Sequence, residues 1–190
     1  VSEMIAYDLP ASVNIGGREF RIRTDFRAIL DIIAALNDPE LDNYDRAAVA
    51  LGIFYEDEIP TDTEAAVREC MKFISGGEKQ ESPKSGPRLV DWEKDFRWIV
   101  APINRALGQD IRGMRMHWWT FLSYYYEIGE CTFSQIVRIR NAQAMGKKLD
   151  KADREWLRKN ADLVRIDQHY TSADSALLEQ WTKGAANSAE

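Results

Sequence analysis

Apolar residues recur along most of this chain at three- and four-residue spacing, which predicts helices. The exception comes first. Val13 and Ile15 alternate with polar residues, as do Phe20 and Ile22, and Gly16-Gly17 lies between the two pairs. Glycines supply the positive φ angles of a tight turn, so the stretch reads as a β-hairpin. One hairpin alone is marginal; it must pack on helices or pair with a partner strand. Thr24 or Asp25 then caps a helix whose stripe is Phe26, Ile29, Leu30, Ile33 and Leu36. Asn37-Asp38-Pro39 ends it, because the residue before proline avoids the helical region. A second helix over residues 43–55 puts Ala47, Leu51 and Phe54 on one face.

Glu56-Asp57-Glu58-Ile59-Pro60 is an acidic break, and Thr61 to Glu64 reads as a capping box. Val67, Cys70, Met71 and Ile74 form the next stripe, closed by Gly76-Gly77. Residues 78–87 are polar and rich in breakers, and read as a flexible surface loop or a separator of two subdomains. A helix from Asp91 carries Trp92, Phe96, Ile99, Val100, Ile103 and Leu107. Pro102 lies inside it and predicts a kink or a break into two. Gly108 ends the element. After an aromatic helix over 114–129, Thr132 to Gln135 reads as a second capping box. It opens a helix with Phe133, Ile136, Val137 and Ile139, ending near Gly146. Asp150-Lys151-Ala152-Asp153 opens another, with Trp156, Leu157, Ala161 and Val164 inward, and the tail has a short pattern at Ala173, Leu177 and Trp181.

The aromatic helix organises the rest. Met116-His117-Trp118-Trp119-Thr120-Phe121-Leu122-Ser123-Tyr124-Tyr125-Tyr126 has almost no charge, and its polar members Thr120, Ser123 and Glu127 make one narrow stripe. A helix apolar nearly all round is central in its domain or half covered by a partner. Trp118, Trp119, Leu122, Tyr125 and Tyr126 are therefore candidates for a protein-binding surface, against the plain alternative that they are core. The fold class is mostly α: a single-domain bundle of about six to eight helices with one N-terminal β-hairpin. Residues 1–10 read as an N-terminal extension, 11–166 as the domain and 167–190 as a C-terminal tail with a short helix.

Composition changes the picture little. The chain has 190 residues, 45% hydrophobic and 29% charged, ordinary for a globular protein with a core. There is no membrane-spanning run and no basic-then-apolar signal pattern at Val1-Ser2-Glu3-Met4, from which a cytoplasmic location is expected. Cys70 and Cys131 form neither a disulfide framework nor a CxxC pattern, and Cys70 reads as a core residue. Charge is more informative. The net charge is −6, but residues 1–64 hold 5 Lys/Arg against 14 Asp/Glu, a net of −9, and residues 138–165 hold 9 against 4, a net of +5. Such asymmetry suits oriented contacts or head-to-tail self-association, hence a homo-oligomer.

Enzymatic constellations are poorly represented. His117 and His169 have neither a paired nucleophile nor HExxH spacing. Glu56, Asp57, Glu58 and Glu64 do not match a calcium loop, and neither glycine pair belongs to a phosphate loop. No catalytic, cofactor-binding or metal residues are assigned. Arg138, Arg140, Lys147 and Lys148 head a candidate basic face, continued by Lys151, Arg154, Arg158 and Lys159. Three readings of it stand: a solvated helical face, an acidic protein partner, or, least favoured because acids are interleaved, nucleic acid.

Six segments together resemble one family: Asp25-Phe26-Arg27, Leu36-Asn37-Asp38-Pro39-Glu40-Leu41, Phe73-Ile74-Ser75-Gly76-Gly77, Asp91-Trp92-Glu93-Lys94-Asp95, His117-Trp118-Trp119-Thr120-Phe121 and Ile136-Val137-Arg138-Ile139-Arg140. In order and spacing they resemble the bacteriophage "gp-fifteen" proteins of tailed phages and prophages of Gram-positive bacteria, over roughly residues 10–166. The resemblance implies a small, mostly helical phage protein encoded between the major tail protein and the tape measure protein. That position implies a non-enzymatic tail assembly chaperone. Such a chaperone binds the tape measure protein in the host cytoplasm, helps tail tube subunits polymerise around it, and is absent from the finished virion. The alternatives are a structural minor tail or adaptor component and, further off, a nucleic-acid-binding phage protein.

Overall fold

This computed structural model describes residues 8–77 and 86–166. Two strands, β1 (Ser12–Ile15) and β2 (Arg18–Arg21), pair antiparallel with Ser12 opposite Arg21 and Ile15 opposite Arg18. Gly16 and Gly17 turn between them at φ of 61° and 83°, as the two-residue loop requires. Eight helices follow among the described residues: α1 (Phe26–Leu36), α2 (Asn43–Phe54), α3 (Thr63–Ile74), α4 (Trp92–Leu107), α5 (Trp118–Tyr126), α6 (Thr132–Ala144), α7 (Lys151–Lys159) and α8 (Ala161–Val164). A short 3-10 turn at Ile111–Gly113 precedes α5. The fold is mostly α with an N-terminal hairpin, as the apolar periodicity predicts.

The hairpin packs within its own chain. Its exit, residues 21–26, is extended and bonded on both sides. Arg23 N–H donates to Phe54 O (2.8 Å) and Glu56 N–H to Arg21 O (3.1 Å) at the end of α2. Opposite them, Trp118 N–H donates to Thr24 O (2.7 Å) and Phe26 N–H to Met116 O (3.0 Å). The backbone groups a lone hairpin would leave in water are thus met by the flanks of two helices.

Aspartate starts five of the helices. Asp25, Asp42, Asp62, Asp91 and Asp150 each accept a backbone N–H from the first turn of α1, α2, α3, α4 and α7. A carboxylate there satisfies an orphan donor and faces the positive end of the helix dipole. Part of the chain's acidity is therefore capping chemistry.

Several boundaries differ from the sequence reading. Asp62 takes the cap position expected of Thr61. The second box is also one residue early, with Cys131 N–H donating to Ser134 Oγ (2.9 Å). At both places the periodicity fixes the helix but leaves neighbouring polar residues to compete for its first turn. Pro102 does not break α4, which runs as one helix with Pro102 buried in it. The lost ladder bond is offset by Ile99, Val100 and Ile103, all buried on either side of it. The aromatic helix is nine residues rather than the expected sixteen, because Met114 to His117 are extended. Ala161 is exposed, since α7 stops at Asn160, whose side chain donates to Trp156 O (2.9 Å), and α8 starts anew. The expected loop at 78–87, apart from residues 86–87, and the stripe at Ala173, Leu177 and Trp181 lie outside the described residues.

The core joins α1, α4 and α5 through stacked rings. Phe26 and Phe121, both fully buried, stack at 5.0 Å and 3°. Trp118 extends the stack on Phe121 at 5.3 Å and Phe96 extends it on Phe26 at 6.3 Å. Such pairs add about 0.5–1.5 kcal/mol each beyond area burial. Cys70 is buried as expected, and burial pushes its thiol up to about 12.

One ion pair is equally buried. Arg140 on α6 meets Asp95 on α4, at 2.5 Å from Nη1 to Oδ2 and 3.0 Å from Nη2 to Oδ1. Its remaining N–H groups go to Val164 O (2.7 Å), Leu163 O (2.9 Å) and Leu89 O (3.0 Å), so all five donors are used. Asp95 Oδ2 also accepts Asp91 N–H (2.9 Å). Removing one member leaves the other buried and unpaired, so Arg140→Ala should cost about 3–5 kcal/mol. Adding Asp95→Ala should cost little more in a denaturant double-mutant cycle. Additive losses would show that the two do not act as a unit.

Candidate protein-binding surfaces

His117 sets where α5 begins. Trp119 N–H donates to its Nδ1 (3.1 Å), so Nδ1 is unprotonated, and Nε2–H then donates to Pro10 O (3.0 Å). One neutral tautomer serves both bonds. Burial lowers the His117 pKa below its ordinary 6.5, against an upward pull from Pro10.

The tryptophans of α5 are fastened inward. Trp118 Nε1–H donates to Ile74 O (2.8 Å) and Trp119 Nε1–H to Phe73 O (2.9 Å), so the two indoles together cap the C-terminus of α3. Trp118 is 1% exposed and Leu122 7%, with Leu122 against Gly76. Trp119 is half-buried and stacks on Phe73 at 5.7 Å. Tyr125 is half-buried between Trp92 and Phe133, and burial pushes its phenol up to about 12. Of the five aromatic-face candidates, Tyr126 alone is open, at 72% exposure. Trp118 and Leu122 are core: their backbone positions face α3, and a helix of nine residues has too little length to spare a second apolar face.

The basic face also dissolves. Arg140 is in the core with Asp95, and Arg138 forks onto Asp153 (2.5 Å from Nη1 to Oδ2) beside Gln135. That bond is the main reason the Asp153 carboxyl lies below its ordinary range. Lys147 and Lys148 remain exposed.

Sequence reasoning missed a groove between α1 and the start of α4. Leu30, Ile33 and Ala34 form one wall and Val90, Trp92 and Phe96 the other, enclosing about 760 Å³. Asp31, Asp38 and Glu93 stand at its edge; Arg88 also lines it but pairs with Asp91 (3.4 Å). The signal was the width of the α1 stripe. Ile32 joins Phe26 and Ile29 in the core, which leaves Leu30 and Ile33 only partly covered. Among the described residues no group of His, Cys, Asp and Glu is arranged to hold a metal ion, and no helix is long and apolar enough to cross a membrane.

Thermal melts sort these roles. Trp118→Ala should cost about 3–5 kcal/mol and Leu122→Ala about 2–5 kcal/mol, as core truncations do. Tyr126→Ala should stay within about 0.5 kcal/mol. For His117 the unfolded chain takes up a proton first as pH falls. Its contribution is therefore full above 6.5 and is lost as pH drops through the lower folded-state value. His117→Asn, which can still cap, should show a smaller fall in Tm than the parent between about pH 7 and pH 5; equal falls would contradict this.

The family model described as "Bacteriophage Gp15 protein" matches residues 5–166, most of the chain. No curated protein and no solved structure matches it. The matched span takes in the hairpin and all eight helices, including Asp95, Arg140 and both walls of the α1–α4 groove. The chain belongs to the bacteriophage Gp15 protein family.

Proposed function

We propose that this phage protein is a non-enzymatic tail assembly chaperone that holds helical segments of the tape measure protein in the α1–α4 groove. The groove carries the reading. Its walls are apolar, and its length follows two helices, which suits an amphipathic helix laid along it. Asp31, Asp38 and Glu93 at its edge favour a client with basic residues beside its apolar stripe, and edge charges speed a reversible encounter. Reversibility matters, because the chaperone acts in the host cytoplasm and leaves as tail tube subunits close around the client. Nucleic acid is a poorer partner, since Arg140 is buried and Arg138 is paired.

The test is co-expression with the phage's own tape measure protein, followed by pull-down at low and moderate salt. The client should become soluble and co-purify. Ala34→Glu places a charge on an exposed position of the groove wall and should abolish co-purification with little change in Tm. Tyr126→Ala should leave capture intact. An insoluble client, capture that survives Ala34→Glu, or this protein in purified virions would each overturn the reading.

A further inference from the structure

A second apolar groove lies between α2 and α3, away from the proposed client site. Ala47, Ala50 and Leu51 line one side and Val67, Cys70 and Met71 the other, around a volume of about 270 Å³. Arg46 borders it, but its guanidinium is committed to Asp38 O (2.9 and 2.7 Å) and Asn43 Oδ1 (3.4 Å). Tyr44, 80% exposed, stands one turn from Ala47 and Ala48.

The field around this groove has one sign. Residues 38–69 hold 10 Asp/Glu against 2 Lys/Arg, a net of −8. Asp45 and Glu64 are exposed in the first turns of α2 and α3, and Glu64 shares the stripe of Val67 and Met71. A groove of this kind selects an apolar side chain carried among positive charges.

The chain itself carries one. Met145, 58% exposed, ends α6 and is followed by exposed Lys147 and Lys148. Exposed Lys151, Arg154 and Arg158 on α7 surround it further. The nearby acids are occupied: Asp153 takes Arg138, and Asp150 caps α7.

We propose that the chain associates head to tail, the Met145–Lys148 corner of one copy seating in the acidic α2–α3 groove of a second copy. Charge complementarity and an apolar knob for an apolar slot carry the assignment, and both halves belong to one sequence. The two surfaces are different, so the contact is heterologous. A pair leaves one groove and one corner free, and rows grow from it.

Analytical ultracentrifugation of the purified protein alone tests this, whatever the client proves to be. The weight-average mass should rise with concentration past that of a dimer at low salt and fall at high salt. Ala47→Glu, which blocks the groove, and Lys147→Glu/Lys148→Glu, which reverses the corner, should each be monomeric. Mixed, they should form a one-to-one dimer and nothing larger, because one intact groove meets one intact corner. Asp45→Lys, at an exposed position, gives the same loss of association should Ala47→Glu fail to fold. A parent protein monomeric at every concentration, a dimer that does not grow, or association that survives both variants overturns the proposal.

Discussion

The Arg140 guanidinium spends five N–H groups on four separate pieces of chain: Asp95 of α4, Leu89 before it, and Leu163 and Val164 at the end of α8, while its own backbone belongs to α6. No apolar residue could do this. Carbonyls at a helix end and in an irregular segment need donors once they leave water, and a planar fork with fixed directions meets them together. The cost is that neither charge tolerates the loss of the other. Everything after α5 is held to the first five helices through this point and the apolar seam of Phe133, Ile136 and Ile139.

The same economy recurs at smaller scale. Trp118 and Trp119 contribute their rings to the core and their indole N–H groups to the carbonyls that end α3. His117 caps α5 and ties residue 10 down. Three consecutive residues thus join the N-terminal segment, α3 and α5. This is why the aromatic run is indispensable to the fold and contributes so little open surface.

The elements were legible because their apolar residues recur at helical spacing, and the hairpin because a glycine pair sits between two alternating runs. What spacing could not say was direction. Trp118 and Tyr126 are both aromatic on one helix, but they lie eight residues apart and face core and solvent respectively. Arg140 looked like its neighbour Arg138, yet two residues on a helix are about 200° apart, and one turned inward to an aspartate 45 positions away. The α1–α4 groove escaped notice because its walls are distant in sequence; only a stripe wider than its core needed hinted at it. The family match then covers the parts that hold the fold and the groove alike.

The bonds from Pro10 to His117 and from Thr24 to Trp118 span more than ninety residues of chain. On a ribosome adding about 5–20 residues per second, the hairpin exit therefore waits roughly 5–20 s for its second flank to be made. Until then Thr24 and Phe26 offer open backbone groups, and Phe26 lacks the ring it stacks on. The N-terminal third is thus the first part synthesised and among the last to be sealed, and translation order sets when this protein's core can close.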